Sequence, residues 1–262
     1  MLRSVKALEG YKIHALDGEI GEVNDFFFDD VSFNVRYLVV DTGTWLQKRL
    51  VLISPHSLGK PDWKEKRFPV NLTKEKIKNS PSVDMDRPVS RQQETDLSDY
   101  YGWPYYWTGL GAGFPGAIPP VPPVNYNIPD QDVAPGEVGR SASEAPKREG
   151  DPHLRSARDV IDYKIQADDD KIGNVEDFIL EDDLWSIRYM AVDTGKWLLP
   201  GKKVLIALPW IEAIDWSESA VFVSLTAKEV EQSPEYHPDR IINKEFETEL
   251  FNYYKRPVPW KQ

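Results

Sequence analysis

The residues best able to do chemistry are two Asp-Thr-Gly triplets, one in Leu38-Val39-Val40-Asp41-Thr42-Gly43-Thr44 and one at Asp193-Thr194-Gly195. Two carboxylates held close together can share a proton and activate water, because like charges at that range do not both ionise. A two-lobed aspartic-type peptidase would use one triplet per lobe. The surroundings oppose that chemistry. Lys196 replaces the hydroxyl expected after the second glycine, bulky Trp45-Leu46 and Trp197-Leu198 follow in place of small residues, and neither lobe has a later hydrophobic-hydrophobic-Gly element. A strand ending in an Asp-Thr-Gly turn accounts for the same letters, and short motifs recur by chance.

The other polar residues offer less. His14, His56 and His237 correspond to Gln166, Pro209 and Asp84 elsewhere in the chain, so no base is repeated, and His153 stands apart. No metal-ligand spacing joins them, and they read as surface histidines. Asp168-Asp169-Asp170 could recruit a divalent cation, but its counterparts Leu16, Asp17 and Gly18 keep a single carboxylate, which favours a solvated turn. With no cysteine, thiolate nucleophiles, disulfides and Cys-based metal sites are excluded. No catalytic residue, cofactor or metal is expected. A formal charge of -11 opposes nucleic-acid binding, which rests on cationic groups. The first residues lack the apolar core of a signal peptide, and no run approaches the ~18 apolar residues of a membrane span. The expected setting is soluble and cytoplasmic.

The elements that would position these residues are written twice. Tyr11-Lys12-Ile13 aligns with Tyr163-Lys164-Ile165 at an offset of 152, and the match runs through Ile20-Gly21, Asp25-Phe26, Arg36-Tyr37 and Val40 to Gly43. One inserted residue then moves the offset to 153, which pairs Val51-Leu52-Ile53 with Val204-Leu205-Ile206, Trp63 with Trp216 and Tyr100-Tyr101 with Tyr253-Tyr254. Each copy reads as mainly β, with strands over Glu22 to Asp30, Asn34 to Asp41, Leu50 to Ile53 and Lys66 to Val70. Short strands at close spacing favour a small closed barrel. A helix capped by Thr73 and ended by Pro81 follows, and a second is capped by Ser90; Thr226 to Gln232 repeats the first. In the last helix Phe246, Leu250, Tyr253 and Tyr254 share one face. The expected division is 1–107, a linker at 108–152, and 153–262. The linker holds nine Pro and seven Gly, cannot bury a core, and reaches on the order of 35 to 40 Å.

The repeated string Gly21-x-Val23-x-Asp25-Phe26, Arg36-Tyr37-Leu38-Val39-Val40-Asp41-Thr42-Gly43-x-Trp45 and Val51-Leu52-Ile53-Ser54-Pro55 resembles the PRC-barrel family, which includes the cytoplasmic domain of the photosynthetic reaction-centre H subunit. The tail from Asp86-Arg87-Pro88 to Tyr100-Tyr101-Gly102-Trp103-Pro104 resembles the extension of stand-alone bacterial members. The resemblance implies two small barrels used for protein contacts, with no family-wide catalytic residue.

Candidate interface residues are Trp45, Leu46, Trp197, Leu198 and Leu199, as loop-tip plugs or exposed patches, and Tyr100, Tyr101, Trp103, Trp107, Tyr253, Tyr254 and Trp260 in the aromatic tails. The tails are expected to join the two copies. The function expected is a non-catalytic scaffold of two paired barrels that binds a protein partner, with homo-oligomerisation as a further assembly. The alternatives are a subunit of a membrane electron-transport complex and the peptidase using Asp41 and Asp193.

Overall fold

A computed structural model describes residues 1–46, 49–83, 89–108, 153–195 and 201–259. The Phe-, Val- and Ile-rich segments form strands whose central residues, such as Tyr37 to Val40 and Val204 to Ala207, are buried in unbroken runs, so both faces of the sheets are covered there. The first half runs β1 (Leu2–Ser4), β2 (Lys12–Ala15), β3 (Gly18–Asp29), β4 (Val35–Asp41), β5 (Leu50–Ile53) and β6 (Arg67–Pro69), then α1 (Lys74–Lys78) and α2 (Arg91–Tyr101). The second runs β7 (Leu154–Ser156), α3 (Ala157–Val160), β8 (Lys164–Gln166), β9 (Lys171–Glu181), β10 (Ser186–Asp193), β11 (Lys203–Ala207), β12 (Ile211–Asp215) and β13 (Ala220–Val223), then α4 (Ala227–Gln232) and α5 (Lys244–Tyr253).

Two mainly antiparallel sheets result, ordered β5-β4-β3-β2-β6 and β11-β10-β9-β8-β13-β12. With β12 set aside the orders are equivalent, down to a parallel β2–β6 pair in one and a parallel β8–β13 pair in the other. The pairings establish two sheets. β3 starts four residues before the expected strand, because the Asp17-Gly18 turn folds β2 back onto it as a hairpin. The expected caps are made: Thr73 accepts from the Lys76 N–H, and Ser90 and Thr226 form reciprocal capping boxes with Gln93 and Glu229. Buried Phe26, Phe28, Leu38, Ile53 and Phe68 fill the first half, and Phe178, Leu180, Tyr189 and Ile206 the second. Among the described residues no helix is long and apolar enough to cross a membrane. The expected linker, beyond Thr108 and up to Pro152, lies outside the described residues.

Candidate functional site at the seam between the halves

Each half gives its first strand to the sheet of the other. β1 pairs with β9, setting Leu2, Arg3 and Ser4 opposite Glu181, Leu180 and Ile179. β7 pairs with β3, setting Leu154, Arg155 and Ser156 opposite Asp29, Phe28 and Phe27. Both donors read Leu-Arg-Ser, and the offset of 152 carries one onto the other. The turns after β3 and β9 meet in the same reciprocal way. Asn34 bridges its own counterpart Ser186, the Val35 N–H donates to the Trp185 carbonyl at 2.7 Å, and the Ile187 N–H donates to the Phe33 carbonyl at 2.9 Å. A residue that pairs with its own equivalent marks a local two-fold, which passes between Asn34 and Ser186.

The polar contacts obey the same symmetry. Asp25 on β3 accepts from the Ser156 hydroxyl at 2.6 Å and from the Arg158 N–H at 3.2 Å. Asp177 on β9 accepts from the Ser4 hydroxyl, and from the Lys6 N–H at 3.1 Å. Burial pushes both carboxyls above their ordinary range, and these hydrogen bonds only partly oppose it. Arg155 donates to Asp30 at 2.8 Å and lies 4.2 Å above the ring centre of Trp216. Arg3 donates to Asp182 and lies 3.4 Å above that of Trp63. Each arginine is thus held between a carboxylate of the other half and an indole of its own. A cation on an aromatic face contributes about 0.5–2 kcal/mol, more where desolvated. His153, expected on the surface, also reaches Asp30, at 3.0 Å. Beneath these groups Phe28 meets Phe178 with ring centres 5.4 Å apart. Trp185 inserts into the first half, 6.4 Å from Phe26 and 5.7 Å from Phe68.

Among the described residues the aromatic tails take no part in this seam, which corrects the expectation that they join the copies. Each packs on its own half: the Tyr100 hydroxyl donates to the Lys76 carbonyl and the Tyr253 hydroxyl to the Glu229 carbonyl, tying α2 to α1 and α5 to α4. Tyr101 stacks on Trp103 at 4.2 Å, and Trp103 donates its indole N–H to Ser57 at 2.7 Å. Tyr254 lies 4.6 Å from Trp210. Trp107 is half-buried under the Arg91 guanidinium. The physical reason is that each tail finds partners for its hydroxyls, its indole N–H and its rings within its own half. Leu46 is half-buried against the core. Trp197, Leu198, Leu199 and Trp260 lie outside the described residues, as does the side chain of Trp45. The ring that enters the neighbouring half is Trp185, a residue that no motif or spacing in the sequence marks out.

The two triplets end β4 and β10, in different sheets, and each works within its own turn. Asp41 accepts from the Gly43 N–H at 2.7 Å, while the Thr42 hydroxyl donates to the Arg49 carbonyl at 2.6 Å. Asp193 accepts from the N–H groups of Gly195 and Gly201, and the Thr194 hydroxyl donates to the Lys202 carbonyl. In the acidic turn, the carboxylate that recurs serves a helix start in both halves, since Asp17 accepts from the first N–H of α1 and Asp169 from that of α4. His56 is exposed, as expected, and partial desolvation with Arg36 nearby pushes its imidazole below the ordinary range.

The seam residues were readable in principle. The 152 offset extends upstream of Tyr11 to Leu2-Arg3-Ser4 and Leu154-Arg155-Ser156, and repeated buried-type carboxylates at Asp25 and Asp177 called for partners. No curated protein matches the chain. Among protein families, residues 152–230 match the PRC-barrel domain.

Proposed function

We propose that the chain is a non-catalytic binding protein in which two PRC-like barrels, paired within one chain, form a pseudo-two-fold platform for a protein partner. The observation that carries this is the reciprocal exchange of β1 and β7, which makes the two halves one interlocked unit. The best candidates for catalysis, Asp41 and Asp193, are each engaged by the backbone of their own turn. Charge gives the platform a direction. Residues 153–262 hold 21 Asp and Glu against 14 Lys and Arg, whereas residues 1–107 hold 16 against 15, so a basic partner would meet the second half more strongly.

The test combines capture with an activity assay. The full chain should retain a stoichiometric protein from a lysate of its source cell, and Arg3→Ala with Arg155→Ala should lose it. That variant removes a partner from two buried carboxylates and should cost about 1–3 kcal/mol per site in urea unfolding. Peptidase activity that vanishes in Asp41→Asn with Asp193→Asn would overturn the proposal.

A further inference from the structure

We infer that Trp185 is the residue that makes the first half pair with the second in preference to either half pairing with its own kind; this rests on the paired arrangement proposed above. The polar contacts that recur across the seam do not make that choice. Ser4 with Asp177 repeats Ser156 with Asp25, and Arg3 between Asp182 and Trp63 repeats Arg155 between Asp30 and Trp216. A seam of two first halves, or of two second halves, would keep every one of these, while cross-seam ion pairs that do not recur, such as His153 with Asp30 and Lys6 with Glu176, have cations 49% and 43% exposed, where screening leaves such a pair little energy.

The rings at the two-fold do differ. Trp185 is the counterpart of Phe33, and both take the same left-handed backbone, at φ 51° and 54°, with the same exchanged hydrogen bonds. Trp185 lies only 7% exposed, its ring against Phe26 and Phe68 of the first half. The second half has Phe178 and Val221 at the positions equivalent to Phe26 and Phe68. Two first halves would set Phe33 where the indole stands and leave the space beside Phe68 underfilled. Two second halves would set the indole against Phe178 and Val221, a valine where the mixed pair has the ring of Phe68. The Trp185–Phe68 contact therefore exists in the mixed pair alone. Packed interiors register the loss of part of a ring, and aromatic pairs add to what burial contributes. Specificity is the difference between the pairings; the recurring polar contacts cancel from that difference and the exposed ion pairs add little to it, leaving the rings to set it.

A protease site inserted between residues 109 and 152 allows the full chain to be cut after folding. The cut halves are unfolded in urea and refolded together, and native mass spectrometry, which separates them by mass, counts the pairs. The wild type should return mixed pairs in about tenfold excess or more over like pairs, the ratio that ~1.4 kcal/mol produces. Trp185→Phe keeps the polar contacts and should fall toward the statistical proportion, and Phe68→Leu should do the same from the facing side. A statistical mixture from the wild type, or undiminished selectivity in both variants, would overturn the assignment. Wild-type halves that stay single after refolding would instead overturn the pairing on which it rests.

Discussion

At Gly21 a Cβ would stand 1.9 Å from the carbonyl oxygen of Asp41, and at Gly173 the same distance from that of Asp193. The two glycines adopt φ of 152° and 133°, which other residues rarely adopt. The repeated glycine and the repeated triplet are therefore one packing device: the glycine lets β3 or β9 approach the end of β4 or β10, and the aspartate holds the turn that follows. Gly21→Ala or Gly173→Ala should each destabilise the chain by about 3 kcal/mol or more in urea unfolding, since backbone rather than a flexible side chain must move. Asp41→Asn should stay within about 0.5 kcal/mol, because an amide oxygen accepts the same N–H, while Asp41→Ala should cost about 1 kcal/mol. If the Asn variant proved as costly as the glycine variants, the carboxylate charge would have a role that turn geometry does not explain.

Between elements, the two tails reach the same packing by different routes. In the first half the large ring comes from the tail, as Trp103 over Ser57 and next to buried Ser98. In the second half the equivalents are an exposed Arg256 in place of Trp103, Trp210 in place of Ser57 and Phe251 in place of Ser98, so the large rings come from the sheet side and from α5, with Trp210 against Phe251 and Tyr254. The indole occupies one slot from opposite walls, and tail and sheet must match within a half. Trp103→Arg alone should cost about 3 kcal/mol and Ser57→Trp alone about 1–3 kcal/mol. Together they should cost less than the sum by more than about 1 kcal/mol, as read from a double-mutant cycle in urea; additivity would show that the slots are unrelated. This matching explains what could be read in advance. Local signals, such as the Thr73, Ser90 and Thr226 caps, the Asp17-Gly18 turn and the Phe246-Leu250-Tyr254 face, located strands and helices because the physics that sets them lies within a few residues. The partner of an aromatic tail, or of a three-residue strand such as Leu154–Ser156, depends on contacts that lie far along the chain, more than a hundred positions away for the strand. Periodicity has no purchase on three residues, and a donor strand looks like any short polar segment until its acceptor is known.

For the molecule as a whole, the seam places two carboxyls, Asp25 and Asp177, where water is scarce, and that gives the pairing of the halves a pH dependence of unusual sign. Burial, the largest influence, raises both above the ordinary 3.8, against the hydrogen bonds from serine and backbone. A carboxyl whose folded value lies above its unfolded one contributes stability that is complete below the unfolded value and is lost as pH rises through the folded one. On acidification from neutrality toward 3.8 these two groups therefore strengthen the fold. Glu176, which the Lys203 ammonium holds below its ordinary 4.5, works the other way and loses stability as pH falls through its folded value. Total stability mixes the two trends, so the informative quantity is a difference. The unfolding free energy of the wild type minus that of Asp25→Asn with Asp177→Asn, measured in urea at a series of pH values, should rise as pH falls toward 3.8, because only the wild type can take up protons at these two positions, while Asp30, also raised by burial, is common to both and cancels. A difference that stays flat would mean that these carboxyls are as comfortable ionised in the seam as in water, and the two halves would then be joined without any cost in buried charge.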